Sequence, residues 1–196
     1  EDGYDDKGEI KYKDLEPDNK LTGDDRTYIG DPNPDFIYGF TSGLSYKNFT
    51  LDIFLQGSYG NDLFNLSSVA YAYDFVSGLN MIKDVLTDSW TPEHTNAKYP
   101  ITSRNTSVNV SNRFVEDGSY LRLKNIQLAY DLPLKNRGAN KNKVLESLQL
   151  YASGQNLLTF TKYSGWDPEV NSSGFGTDNN SYPMSKTITF GIRARF

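Results

Sequence analysis

An all-β fold with five antiparallel strands is what three observations on this 196-residue sequence predict. Aromatic residues make up 14% of the chain, with 14 Tyr and 11 Phe, and there are 16 Gly. Aromatic side chains favour the pleated, half-buried surface of a sheet. Hydrophobic residues alternate with polar or small ones in five separate stretches, the pattern of strands with two unlike faces. No apolar run approaches the roughly 18 residues of a helical membrane span.

The elements follow in order. Residues 1–35 are polar, acidic and rich in turn formers, which predicts a loop. In the stretch 36–60, Phe36, Tyr38, Phe40, Leu44 and Tyr46 alternate with Ile37, Gly39, Thr41, Gly43 and Ser45, small or polar but for Ile37. After Lys47 and Asn48 the parity changes, and Phe49, Leu51, Ile53, Leu55 and Tyr59 become the apolar set. That is a hairpin with a tight turn. Residues 61–118 form a long connection. Val69, Tyr73, Val76 and Leu79, then Ile82, Val85 and Leu86, have helical spacing and predict one or two short helices. The stretch from Thr91 to Phe114 reads as irregular loop. Connections of this length usually carry function.

The region 119–161 holds two further strands. In the first, Leu121 and Leu123 share a parity that slips before Ile126, Leu128 and Tyr130, which predicts a β-bulge near Lys124–Asn125. Pro133 ends it, and 132–146 is a connection. The next strand places Leu148, Leu150, Ala152, Leu158 and Phe160 on one face. A polar loop, 162–185, precedes the last strand, 186–196, where Ile188, Phe190, Ile192, Ala194 and Phe196 alternate with Thr and Arg.

Short and long connections alternate along the chain, and strand lengths suit a crossing of the hydrocarbon layer. Both are marks of an outer-membrane β-barrel. The expected location is therefore the cell outer membrane, with the apolar faces against the lipid bilayer. Five strands cannot close a barrel, since single-chain barrels have at least eight, and open edges do not face lipid. The expectation is then either a C-terminal piece that pairs with the remainder of a barrel or a chain that pairs with other chains. The alternative is a soluble β-rich carbohydrate-binding module, which would have to bury its apolar faces within these residues.

Other classes are disfavoured. Without cysteine there is no disulfide, thiolate metal site or Cys nucleophile. A net charge of −5 and no basic stripe argue against nucleic acid. His94 is the lone histidine, no nucleophile elbow occurs, and adjacent acids such as Glu116 and Asp117 point to opposite faces of a strand. No catalytic residue is assigned, and the chain is expected not to be an enzyme. One local motif fits a cation. In "DLEPDNKLTGDD", Asp14, Glu16, Asp18, the Lys20 carbonyl and Asp25 have the spacing of a calcium loop over 14–25. Asn19 stands where such loops carry Gly, and Asp25 is shorter than the usual Glu.

The blocks "GEIKYKDLEPDNKL", "DDRTYIGDPNPDFIYGFTSGLSYKNFTLDIFLQGSYGNDLFN", "VEDGSYLRLKNIQLAYDLP", "YASGQNLLTFTKYSGWDPEV" and "YPMSKTITFGIRARF" resemble the C-terminal end of SusC/RagA-type TonB-linked outer-membrane transporters of Bacteroidetes. The resemblance implies the last five strands of a 22-stranded barrel that belongs to an importer of glycans or peptides. It implies a SusD-like surface lipoprotein as lid, and TonB acting through a plug that these residues do not include. It further implies that 1–35, 61–118 and 162–185 are extracellular and that 132–146 is periplasmic. Gly191, Ile192, Ala194 and Phe196 look like the family's barrel-assembly signal. Tyr71, Tyr73, Trp90, Tyr99, Tyr163 and Trp166 lie in the loops so placed, and their rings are candidates for contact with substrate or lid.

Overall fold

The computed structural model describes residues 3–75, 77–103, 108–134, 145–170 and 175–196. Its strands, in chain order, are β1 (Phe36–Tyr46), β2 (Phe49–Tyr59), β3 (Asp62–Asn65), β4 (Val115–Asp117), β5 (Tyr120–Asp131), β6 (Ser147–Thr161), β7 (Thr177–Asp178) and β8 (Thr187–Arg195). The chain divides into two compact units. One is a sheet of 34–60, 118–162 and 183–196. The other is a loop module of 1–33, 61–117 and 163–182.

The sheet is antiparallel throughout, in the order β1-β2-β5-β6-β8. Its register explains the sequence pattern. Tyr46, Phe49, Tyr130, Leu150 and Ile192 lie in one cross-strand row, and Leu44, Leu51, Leu128, Ala152 and Phe190 lie in another. Every strand thus turns its apolar parity to the same side. The opposite side carries Thr41, Asp52, Gln56, Gln127, Gln149, Thr189 and Arg193. A one-residue slip anywhere would exchange the two sides, so register and face specify each other.

Two local devices keep that register. The β1–β2 turn is closed by Lys47, which adopts φ 54°, and Asn48, whose Nδ2 donates to the Asp131 carbonyl at 2.7 Å. The parity slip in β5 is a real irregularity. Leu55 pairs with Leu123 and Phe54 with Asn125, leaving Lys124 extra. On the other flank, Leu158 faces Leu123 and Gln155 faces Asn125, with Asn156 at φ 52° inside the step. An Asn accepts this left-handed backbone at lower cost than most residues.

The apolar band runs aslant across the sheet. In β1 it extends from Phe36 to Tyr46, centred on Thr41, whereas in β8 it extends from Ile188 to Ala194, centred on Gly191 in the row of Ser45. That offset of about four residues, roughly 13 Å, accrues over four strand spacings of roughly 4.8 Å. The implied slope of about 35° matches the strand tilt of membrane barrels. β1 and β8 are the edges of the sheet.

The loop module has a core of its own. Ile10, Ala72, Tyr73, Val85, Tyr99 and Phe114 are buried together. Tyr73 packs edge-on against Phe114 with centroids 5.0 Å apart, and tilted against Tyr99 at 5.6 Å. The helical spacing of the sequence appears as Leu66–Ser68, continued by a π-turn over Val69–Tyr73, and as Lys83–Thr87. Val76 and most of the 132–146 connection lie outside the described residues. A small sheet, β4-β3-β7, pairs β3 antiparallel to β4 and parallel to β7. The stretch read as irregular loop is therefore partly ordered. Trp90 N donates to the Tyr99 carbonyl at 2.9 Å and Tyr99 N to the Asp88 carbonyl at 3.0 Å, and Phe114 sits in the core.

Candidate functional site

The largest surface with an evident task is the apolar side of the sheet. Ile188, Phe190 and Ile192 are 66%, 79% and 69% exposed. Rings stand at both ends of the face and, as Phe40 and Phe190, within it. At one end the Phe36 and Tyr59 rings stack with centroids 5.2 Å apart, and at the other Phe49 and Tyr130 lie 4.7 Å apart. Between them come Leu44, Leu51, Ile53, Leu55, Leu123, Ile126 and Leu128. A continuous apolar band with rings at both ends is the surface that a bilayer covers.

The polar side is knitted by long side chains. Arg193 Nη1 donates to Gln149 Oε1 at 2.9 Å, and Gln149 Nε2 donates to Asp131 Oδ1 at 2.9 Å. Arg193 also lies over the Tyr151 ring, 4.6 Å from its centroid. That ring crosses Gly191 so closely that a Cβ there would stand 2.3 Å from Tyr151 Cζ. Glycine at 191 therefore has a packing reason. Arg122 is buried on this side, with Nε 3.0 Å from Thr159 Oγ1.

The aromatic candidates separate into two groups. Tyr73, Trp90, Tyr99 and Tyr163 are buried, so their rings pack the module and offer no face to substrate or lid. The Trp90 ring lies against Gly8, whose φ of 80° brings its backbone close. Tyr163 OH donates to Asp178 Oδ2 at 2.6 Å, and burial first, then this bond, pushes the phenol's pKa far up. The correction follows from size: loops this long must bury something, and large rings bury most area. Tyr71 at 36% and Trp166 at 74% exposure remain available. Trp166 stands between Gly165, which lies under the Tyr163 ring, and buried Asp167, whose Oδ1 accepts from Glu169 N at 2.9 Å.

The acidic loop closes on its own amides. Asp25 Oδ1 accepts from Leu15 N at 2.8 Å and Glu16 N at 3.3 Å, and its Oδ2 accepts from Thr22 N at 2.7 Å. Asp14 Oδ2 accepts from Asn19 N at 2.9 Å, and Asp18 Oδ1 from Lys20 N at 2.8 Å. Asp14 Oδ1 is buried without a hydrogen-bond partner. Among the described residues no three acid or imidazole side chains gather as a metal cage. In this conformation three of the carboxylates with calcium-loop spacing accept backbone amides, and one oxygen of Asp14 is left over. The amides, the Thr22 amide foremost, hold the Asp25 carboxyl below the usual aspartate range. His94 Nε2 lies 3.0 Å from Asp88 Oδ1 on an exposed turn.

Sequence reasoning missed the polar staples of the module. Glu116 Oε1 accepts from Asn65 Nδ2 at 2.9 Å and Ser164 Oγ at 2.8 Å, while Oε2 accepts from Ser164 N at 2.8 Å. Partners lying 51 and 48 positions away leave no local signal.

Comparisons with known proteins agree with this reading. No family model matches the chain. It is 36% identical over 203 residues to TonB-dependent receptor P3 of Formosa agariphila, covering 99% of the chain and 20% of that protein. It is 28% identical over 200 residues to TonB-dependent receptor SusC of Bacteroides thetaiotaomicron, covering 98% of the chain and 18% of that protein. A solved structure of the RagAB peptide importer in its open-open state superposes with a TM-score of 0.75 at 31% identity, over 90% of this chain and 19% of that one. The chain spans about a fifth of the length of the curated relatives it matches. With its lipid-type sheet face, the chain is similar over nearly its whole length to one β-barrel segment of SusC/RagA-type TonB-linked outer-membrane proteins.

Proposed function

We propose that the protein containing this segment is a TonB-dependent importer of glycans or peptides that works with a SusD-like surface lipoprotein. The observation that carries the reading is the uncovered apolar side of the five-stranded sheet, bounded by rings and slanted like a membrane strand. Similarity to SusC and to RagAB supports the partner and the task. A soluble carbohydrate-binding module would have to hide Phe40, Leu44, Phe190 and Ile192, and the chain leaves all four exposed. The segment's contribution is structural and positional rather than chemical. It supplies wall strands, closes them against neighbours through the edges of β1 and β8, and presents the loop module to the cell exterior.

In this reading TonB acts through the plug in the barrel lumen. Trp166 and Tyr71 provide ring faces for substrate or lid, and stacking of sugar rings or peptide side chains on them needs no charge. The alternating run Gly191, Ile192, Ala194 and Phe196 serves barrel assembly by offering an edge with one apolar side. The test is fractionation of the full-length protein with sidedness mapping. Cysteines placed at Leu86 and at Lys47 should react with a membrane-impermeant maleimide in intact cells at the first position only. Recovery of the full-length protein in the periplasm, or labelling at Lys47 alone, overturns the reading.

A further inference from the structure

The strand pairings of the sheet keep their register by different means. β1 and β2 are joined by a two-residue turn, and the β2–β5 and β5–β6 ladders each carry a register step at the bulge. Among the described residues the β6–β8 ladder shows neither. It pairs without a step from Ser147 with Arg195 to Gln155 with Thr187, and residues 162–186 separate the two strands. A connection of that length does not set register as a tight turn does. The alternation of faces does not set it either, because a slip of two residues leaves both faces correct. Slipped one way, Leu150 would meet Phe190 and Ala152 would meet Ile188. Slipped the other way, Leu150 would meet Ala194, Ala152 would meet Ile192, and Gln149 would find Arg195 in place of Arg193. Apolar still meets apolar in both cases.

One contact does not survive the slip. The polar side of β8 carries Thr187, Thr189, Gly191, Arg193 and Arg195, and Gly191 is the strand's sole glycine. Tyr151 pairs with it and lays its ring where any Cβ would overlap. Arg193 covers the ring from the next polar-side position, 4.6 Å from the centroid, while donating to Gln149 Oε1. A slip of two would bring Thr189 or Arg193 under the ring, each with a Cβ in the way. We propose that Tyr151 seated on Gly191 selects the register of the last strand from among those its two faces permit. β8 is an edge of the sheet, so its register passes on to whichever strand pairs with it. In a closed barrel that stagger is linked to tilt and diameter. Tyr151 is thus a positioning residue for closure rather than one more wall residue. The inference rests on contacts within the sheet and does not depend on the importer reading.

The experiment uses the full-length protein on a cysteine-free background, with pairs of cysteines on the polar side and mass spectrometry of the disulfide-linked peptides. Gln155→Cys with Thr187→Cys reports the register seen here. Ser153→Cys with Thr187→Cys, and Gln155→Cys with Thr189→Cys, stand directly opposite only after a slip of two in one sense or the other. Only heat-modifiable, folded protein is read. Tyr151→Ala should raise the ratio of slipped to in-register disulfide by about tenfold or more, and Tyr151→Phe, which keeps the ring, should leave it unchanged. The exchange Thr189→Gly/Gly191→Thr moves the recess by two residues and should make the 153–187 disulfide predominant. An unchanged ratio in Tyr151→Ala overturns the proposal, since a contact that only adds stability would lower the unfolding midpoint without moving the ratio. Retention of the 155–187 disulfide after the glycine exchange overturns it as well. Should the exchange fail to give folded protein, the ratio in Tyr151→Ala decides alone. Fractionation judges the importer reading separately.

Discussion

Asp25 shows how one carboxylate can organise a stretch of chain. It caps the 3₁₀ turn Gly23–Asp25 through Thr22 and reaches back to two amides ten and nine residues away. Replacing Asp25 with Ala should speed hydrogen exchange at Leu15 and Thr22, while Asp24→Ala should leave both unchanged. The same bonds set a pH dependence. The folded carboxyl titrates below its unfolded value, so the closure is complete above about pH 4 and fades as pH falls further. Exchange at Leu15 measured from pH 6 to pH 3 should show the loss on the acid side. Gly191 makes a second residue-scale case. Gly191→Ala drives a methyl into the Tyr151 ring and should cost about 1–3 kcal/mol of barrel stability in urea. Tyr151→Ala in the same protein should recover part of it. The spacing of acids in 14–25 was legible in the sequence, but their bonds to nearby amides were not, because those depend on the backbone path.

At the scale of elements, the strands were the most readable part. Alternation, the Lys47–Asn48 turn and the slip at Lys124 all translate directly, because a side must be apolar throughout to meet lipid. The face also dictates an asymmetry of substitution. Ile192→Lys, on the apolar side, should destabilise the barrel by about 2–4 kcal/mol if it lies near mid-bilayer. Thr189→Lys, on the polar side of the same strand, should cost far less, and urea unfolding in vesicles compares them. The loop module was legible only in part. Its short helices follow from spacing, but the pairing of β3 with β7 joins residues more than a hundred positions apart. No pattern of period two or 3.6 encodes that. Tyr163→Phe tests how the module holds together. It leaves Asp178 buried with one bond fewer and should cost about 1–3 kcal/mol, read as a lower melting temperature of the loops by protease susceptibility.

For the whole molecule, the two units answer to different solvents. The sheet is a wall whose stability depends on lipid outside and on neighbouring strands at both edges, so its exposed residues are correct for its place. The module follows the usual rule of a water-soluble core, with Phe114, Tyr73 and Tyr99 inside. This difference explains which sequence signals misled. Aromatic residues in the sheet are exposed by design, and extending that expectation to the loops placed Tyr73, Trp90, Tyr99 and Tyr163 on a surface they do not occupy.

The parallel pairing of β3 with β7 has a consequence for how such proteins diversify. The module is woven from three stretches of chain, and Gly30 against Asp62, Gly176 against Pro32 and Ser164 against Glu116 fasten each stretch to another. A loop taken from a cousin with different tastes and grafted at one of these places would arrive without its counterparts. A changed module should therefore be inherited as a set, with all three stretches exchanged together, or arise by change at the outward rim alone.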